Sequence, residues 1–254
     1  MGTADTMPRL ELQPSDTLFI AQADVMNCFY KVLLPEWLQP YFGLDPVSLR
    51  EASDLGFALP CPQEGRTVDP QLFPCMTVLP MGWSWAFWVI QHLHETICER
   101  QGFVSSRRLV AAWPAPQLST GAVALPYCDN LTILGTDAAE VQAGIDLMCK
   151  GFQDKGFALH EISPAQVQAG MLGDVSDGAR GTVRGRPEKA WLLKAAFEFV
   201  ALGGWFSGRQ LEVMLGHFIP HALFARGALA VPRVVFFYPG TLLATCPDLA
   251  FSSF

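Results

Sequence analysis

The sequence lacks the features that would connect it with a membrane or a secretory route. It has no uninterrupted run of about 18 apolar residues, the length that a membrane-spanning helix needs, so we expect no membrane partner. Residues 1–12 carry Asp5, Arg9 and Glu11 and have no apolar core, which is not typical of a secretory signal. We therefore expect an intracellular protein, in the cytoplasm or the nucleus, that is not secreted.

Cysteines at close, regular spacing are lacking as well. The seven cysteines are widely separated, and no Cys-x-x-Cys occurs. An odd number at wide spacing argues against a disulfide framework and against a zinc site. This pattern is typical of a protein in a reducing compartment.

Charged residues are few, at 16% of the chain, whereas half of the residues are hydrophobic, which excludes a globally disordered chain. The net charge of −7 is unevenly distributed. Residues 1–174 hold 9 basic and 19 acidic residues, and residues 175–254 hold 8 basic and 5 acidic residues. We expect any polyanion to contact mainly the C-terminal third. A basic face that is merely solvated explains the charge equally well.

Hydrophobic periodicity predicts an α+β fold, with an antiparallel sheet packed on helices and a helical C-terminal region. We divide the chain into an irregular lead-in (1–15), a sheet-and-helix domain (16–174) with a loop-rich insertion at about 43–78, and a helical region (175–254). The predicted elements are strands at 18–25, 73–79, 157–160 and 171–173, a hairpin around Asp129, an exposed loop at 174–186, and helices from a Ser84 cap to Gln101, from Asp137 to near Gly156, from Pro187 to Leu202, and from Ser207 to Pro220.

Two acidic residues stand at the ends of predicted strands. Asp24 ends the first apolar run, and Asp129 lies at the tip of the predicted hairpin. Carboxylates on two strand ends can meet on neighbouring strands and bind Mg²⁺, which prefers oxygen ligands. Two magnesium ions held by such a pair activate a 3′-hydroxyl and stabilise a leaving pyrophosphate. The simpler interpretation is that each residue belongs to an ordinary turn.

Several stretches resemble the reverse transcriptases. The stretches 24–30, 79–86 and 127–130 occur in the order, and at roughly the distances, of three palm motifs of that family: the first Asp, the Pro-x-Gly turn, and the Tyr-x-Asp-Asp hairpin. The stretches 171–173 and 207–218 resemble the element that grips the primer and the thumb helix of gypsy-like retroelements with long terminal repeats. The resemblance covers about residues 15–240.

This resemblance implies an RNA-directed DNA polymerase, with a palm at 16–174, a residual fingers insertion at about 43–78, and a thumb at 175–254. It implies an RNA template, a DNA primer and deoxynucleoside triphosphates as partners. The implied cofactors are two Mg²⁺ ions, which Mn²⁺ can replace.

The resemblance also implies roles for individual residues. Asp24 and Asp129 are the implied catalytic residues, and the metal ligands are Asp24, the backbone carbonyl of Val25, Asp129 and Asn130. The ring of Phe29 is expected to block a ribose 2′-hydroxyl, and Met81 and Gly82 to border the incoming nucleotide. The residues implied to contact primer or template are Tyr127, Met171, Leu172, Gly173, Arg184, Arg186 and Arg209. Core packing is the alternative for Phe29 and for 171–173, and a solvated surface is the alternative for the arginines.

The chain also departs from the family pattern. Asn130 stands where the family usually has a second Asp, so the site has one negative charge fewer and we expect weaker metal binding. Only 23 residues precede Asp24, whereas the family places the fingers strands and their triphosphate-binding Lys and Arg upstream of that residue. A second hypothesis is therefore a truncated, inactive relic that keeps a nucleic-acid-binding or structural role. A third is an unrelated α+β scaffold whose Asp turns are only structural.

Overall fold

The computed structural model describes residues 4–57, 71–111, 113–171, 173–205 and 207–222, together with residues 228 and 230. Antiparallel sheets combine with helices, which confirms the predicted α+β class. The strands and α-helices are β1 (Phe19–Val25), α1 (Cys28–Lys31), β2 (Val47–Ser48), α2 (Leu49–Asp54), β3 (Gln71–Leu72), α3 (Ala86–Arg100), β4 (Val123–Ala124), β5 (Asn130–Gly135), α4 (Ala138–Gln153), β6 (Leu159–Gln166), β7 (Gln168–Met171), β8 (Asp174–Asp177), β9 (Thr182–Gly185), α5 (Pro187–Ala201) and α6 (Gly208–Ala222).

A four-stranded antiparallel sheet, in the order β4-β5-β1-β6, forms the centre of the fold. Side chains of β1 alternate between its two faces. Ala21, Ala23 and Val25 enter the main core with residues of α3 and α4, while Ile20 enters a second core. Because Asp24 shares the parity of Ile20, it lies on the face away from α3 and α4.

Helix α4 packs on the main core as its periodicity predicts. Val141, Ile145, Met148 and Phe152 are all buried. The side chain of Asp137, where the predicted helix begins, accepts hydrogen bonds from the backbone N–H groups of the next turn and caps the helix.

The predicted extent of α3 is nearly correct, but its Ser84 cap is wrong. The helix begins at Ala86, and within the described residues the side chain of its N-cap, Trp85, makes no capping bond. Two successive backbone turns lead into the helix instead, because the N–H of Trp83 donates to Pro80 and the N–H of Ala86 donates to Trp83. The second of these turns satisfies the first amide of the helix, that of Ala86.

The exposed loop predicted at 174–186 is wrong. β7, β8 and β9 form a three-stranded antiparallel sheet there. Polar residues dominate β8 and β9, so they lack the apolar alternation that indicates a strand. Packing between distant residues compensates for this missing alternation. Met171 of β7 enters the second core together with Leu18 and Ile20.

The strand predicted at 73–79 is also wrong. Only Gln71–Leu72 pairs as a strand, and Cys75 and Val78 form isolated bridges. Pro74, within this stretch, has no N–H for a continuous ladder. The strand predicted at 157–160 is real but extends to Gln166, and it tolerates Pro164 because β6 is an edge strand.

The two C-terminal helices are confirmed within a few residues. The Ser207 hydroxyl accepts from the N–H of Gln210 at 3.2 Å, and the Gln210 side chain accepts from the N–H of Ser207 at 2.7 Å, which forms a capping box. Pro220 lies inside the last turn, so α6 continues to Ala222. In the described part of the chain no helix has both the length and the apolar character to cross a membrane. The division into palm and thumb stays a prediction.

Candidate metal-binding site

The two carboxylates predicted to meet lie at the same end of the central sheet. Asp24, near the end of β1, is opposite Asn130, the first residue of β5. The N–H of Val25 donates to the backbone carbonyl of Asp129 at 3.0 Å. The sheet pairing itself therefore brings Asp129 to the end of β1 that carries Asp24.

Asp129 belongs to a two-residue turn closed by Tyr127 and Asn130, which exchange backbone hydrogen bonds of 2.8 and 3.2 Å. Asp and Asn tolerate the left-handed backbone of such a turn better than most residues do. The residue that adopts it is Cys128, with a φ of 53°. A cysteine side chain disfavours this conformation, so other contacts must hold the turn.

Helix α3 supplies those contacts through two buried polar residues, Gln91 and His94. The Gln91 side chain accepts from the N–H of Cys128 at 2.9 Å and donates to the carbonyl of Pro126 at 3.1 Å. His94 Nδ1 lies 2.9 Å from the carbonyl oxygen of Cys128. Burial lowers the pKa of His94 to about 4, so the ring is neutral at pH 7 and donates from Nδ1.

Sequence reasoning missed both residues. The available signal was a pair of polar side chains three positions apart on a helix whose other inward positions are apolar.

The carboxylates influence each other electrostatically. The pKa of Asp24 is raised first by burial and then by the negative charge of Asp129, while His160 opposes the rise. Because the charge of Asp129 disfavours the ionised form of Asp24, a cation beside Asp24 would stabilise that form. The thiols of Cys28 and Cys128 are not suited to bind it, because burial and the charge of Asp129 raise the pKa of each to about 12.

The oxygen donors fit magnesium. The Asn130 amide donates to one carboxylate oxygen of Asp129 at 3.1 Å, which orients that carboxylate. Within the described ranges no group of three or more His, Cys, Asp and Glu side chains is arranged to hold a metal ion. Magnesium typically binds one or two carboxylates and completes its shell with water and substrate phosphates, which a two-carboxylate site allows.

The residues predicted to border the nucleotide differ in their surroundings. Phe29 is 9% exposed and packs in the main core, as an ordinary core aromatic does. Met81 is 63% exposed, and Gly82 has a φ of 105°, which explains the glycine there. Their contact with a nucleotide stays a prediction.

The residues predicted to contact primer or template lie on several elements. The half-buried ring of Tyr127 packs edge-to-face on Phe87, 5.6 Å between centroids. Met171 is buried in the second core, Gly173 has a φ of 93°, and Leu172 lies outside the described residues. The arginines predicted to contact nucleic acid are exposed, on or next to β9 and in the first turn of α6: Arg184, Arg186 and Arg209. Their roles, and the carbonyl ligand from Val25, stay predictions.

Known proteins provide no family for this chain. No protein-family model matches it, and no curated protein matches it significantly. The class that the site suggests therefore depends on its residues and geometry alone.

Proposed function

We propose that this chain is the palm and thumb portion of a retroelement reverse transcriptase, an RNA-directed DNA polymerase that extends a primer 3′-hydroxyl by two-metal nucleotidyl transfer. The observation that carries the proposal is the placement of Asp24 and Asp129, far apart in sequence, at one end of β1 and its partner hairpin. The order of the motifs around them supports it further.

The proposed roles follow from this geometry. Asp24 and Asp129 hold the cations, assisted by the Val25 carbonyl, and Asn130 orients the Asp129 carboxylate. Two Mg²⁺ ions, when bound, supply activation of the 3′-hydroxyl and neutralisation of the triphosphate charge. Gln91 and His94 keep the Asp129 turn in place from α3.

Primer extension tests the proposal. The purified chain is given an RNA template, a DNA primer and deoxynucleoside triphosphates with Mg²⁺ or Mn²⁺. We expect incorporation by the wild type and its loss in Asp129→Asn, which keeps the shape of the side chain and removes its charge. Asp154→Asn makes the same change at an exposed site at the end of α4 and is expected to keep activity. Equal incorporation by wild type and Asp129→Asn, or none by the wild type, contradicts a catalytic role.

A second candidate function is an inactive relic that retains nucleic-acid binding or a structural role. The observation that favours it is Asn130, a neutral residue whose amide occupies one oxygen of Asp129. A relic that binds nucleic acid holds an RNA–DNA duplex in a salt-dependent way without incorporation. Substituting Arg184, Arg186 and Arg209 together is then expected to reduce that salt dependence.

A further inference from the structure

The pairing between β6 and β1 is irregular beside Asp24. Gln22 is opposite Ser163, and a regular antiparallel register continued from that pair would bring Glu161 opposite Asp24. The register instead shifts by one residue between these positions, so that His160 is opposite Asp24. The irregularity therefore replaces an acid–acid pair with a histidine–acid pair.

The residue that accommodates this shift is Glu161. Its φ of 51° is left-handed, a conformation that a non-glycine residue adopts only at an energetic cost. Its side chain is 80% exposed, so its charge is largely solvated. Bulges of this kind commonly re-aim a neighbouring side chain, and like charges directly opposed across two strands are destabilising.

His160 directly contacts the candidate metal ligand. Its Nε2 atom lies 3.3 Å from Oδ1 of Asp24, and the two side chains are 39% and 27% exposed. Asp24 thus has His160 opposite it on β6 and Asn130 opposite it on β5, all on one face of the sheet. An N–H on Nε2 would donate to Oδ1 and so orient the carboxylate, which would leave Oδ2 for a cation shared with Asp129.

We propose that His160 is a positioning residue that orients Asp24 for cation binding, and that the bulge at Glu161 exists to place it there. This inference rests on the proposed function, because it needs a cation between Asp24 and Asp129. Residues that hydrogen-bond to a metal-binding side chain change metal affinity by about 10- to 100-fold when they are removed.

Binding of Mn²⁺ to the free protein, followed by electron paramagnetic resonance, tests the role without any nucleotide. We expect His160→Leu to weaken Mn²⁺ binding about tenfold. His160→Gln, which retains an N–H donor near the position of Nε2, is expected to restore most of the affinity. His217→Leu removes an exposed histidine on α6 and is expected to match the wild type.

The outcomes separate this inference from the function on which it rests. Equal or tighter Mn²⁺ binding by His160→Leu overturns the positioning role while the Asp24–Asp129 site stands. Absence of binding by the wild type, or binding that Asp129→Asn leaves unchanged, overturns the site itself and the positioning role with it. If circular dichroism finds His160→Leu unfolded, His160→Ser replaces it, because serine is polar but too short to reach Asp24. Equal affinity of the Gln and Ser variants then overturns the role.

Discussion

Replacing Gln91 with leucine is expected to release the turn that carries Asp129. Leucine has a similar volume and a good helix propensity, so the change removes polar groups without opening a large cavity. It takes away the acceptor of the Cys128 N–H and the donor to the Pro126 carbonyl, both of them buried contacts. Cys128 then has to hold its left-handed backbone with only the His94 bond from α3.

The magnitude follows from these two groups. A buried N–H left without an acceptor costs about 1–3 kcal/mol, and the loss of one bond to a carbonyl costs about 1 kcal/mol. The free energy of unfolding is therefore expected to fall by roughly 2–4 kcal/mol, within the stability of about 5–15 kcal/mol typical of a folded domain. The protein should stay folded while the position of Asp129 becomes less well defined.

Urea unfolding followed by circular dichroism measures the effect, and the midpoint is expected to shift by roughly 1–2 M. Mn²⁺ affinity of the folded variant is expected to fall as well, because the Asp129 carboxylate is no longer held in place. Gln153→Leu, an exposed change at the end of α4, serves as the matched control. A change below about 0.5 kcal/mol for Gln91→Leu is typical of an ordinary surface position. Such a result would refute the role of Gln91 in holding the turn that carries Asp129.

Two further predictions concern charge and strain. Asp174 is 3% exposed, and its Oδ2 atom has no hydrogen-bond partner among the described residues. Burial raises the pKa of Asp174 to about 6, although the positive charges of Arg186 and Lys189 act to lower it. Because the folded-state pKa lies above the ordinary value of 3.8, stability is lost as the pH rises from about 4 to about 6. Asp174→Asn is expected to be more stable than the wild type by about 2–3 kcal/mol at pH 7 and equal to it at pH 4, as measured by urea unfolding. An equal gain at both pH values would exclude ionisation of Asp174 as the cause. Glu161→Gly should raise stability by roughly 0.5–1 kcal/mol through relief of the left-handed backbone, whereas Glu161→Ala should not, and equal effects of the two variants would argue against strain.

Much of the central fold could be predicted from local patterns. The face of α4 and the buried strand β1 follow from apolar spacing, since both pack on one continuous core. The sheet formed by β7, β8 and β9 could not be predicted in the same way. Buried polar positions such as Asp174 and Ser176 resemble loop composition, and the packing that compensates comes from Leu18, far away in the sequence.

In the candidate site too, local sequence patterns predict some features, and others depend on contacts between distant residues. The placement of Asp24 and Asp129 at one end of the sheet could be predicted because both residues end apolar runs, and the ends of neighbouring strands lie side by side. The hydrogen bonds from Gln91 and His94 to the hairpin could not be predicted, because they depend on which face of α3 meets the hairpin. The placement of His160 depends on a register shift of one residue, and sequence patterns locate element boundaries less finely than that.

Position 130 is where stability and metal affinity oppose each other. Asn130 lies directly opposite Asp24, so an aspartate at 130 would bring a third carboxylate to a site where burial and Asp129 already raise the pKa of Asp24. The amide avoids that repulsion and also donates to Asp129, which a carboxylate could not do. Compared with an aspartate, Asn130 also lacks a negative charge that would attract a cation. An amide at position 130 therefore favours the hairpin without a metal but lowers its attraction for a cation. In the proposed site Asp24, which His160 is proposed to orient, would then supply a larger share of the binding.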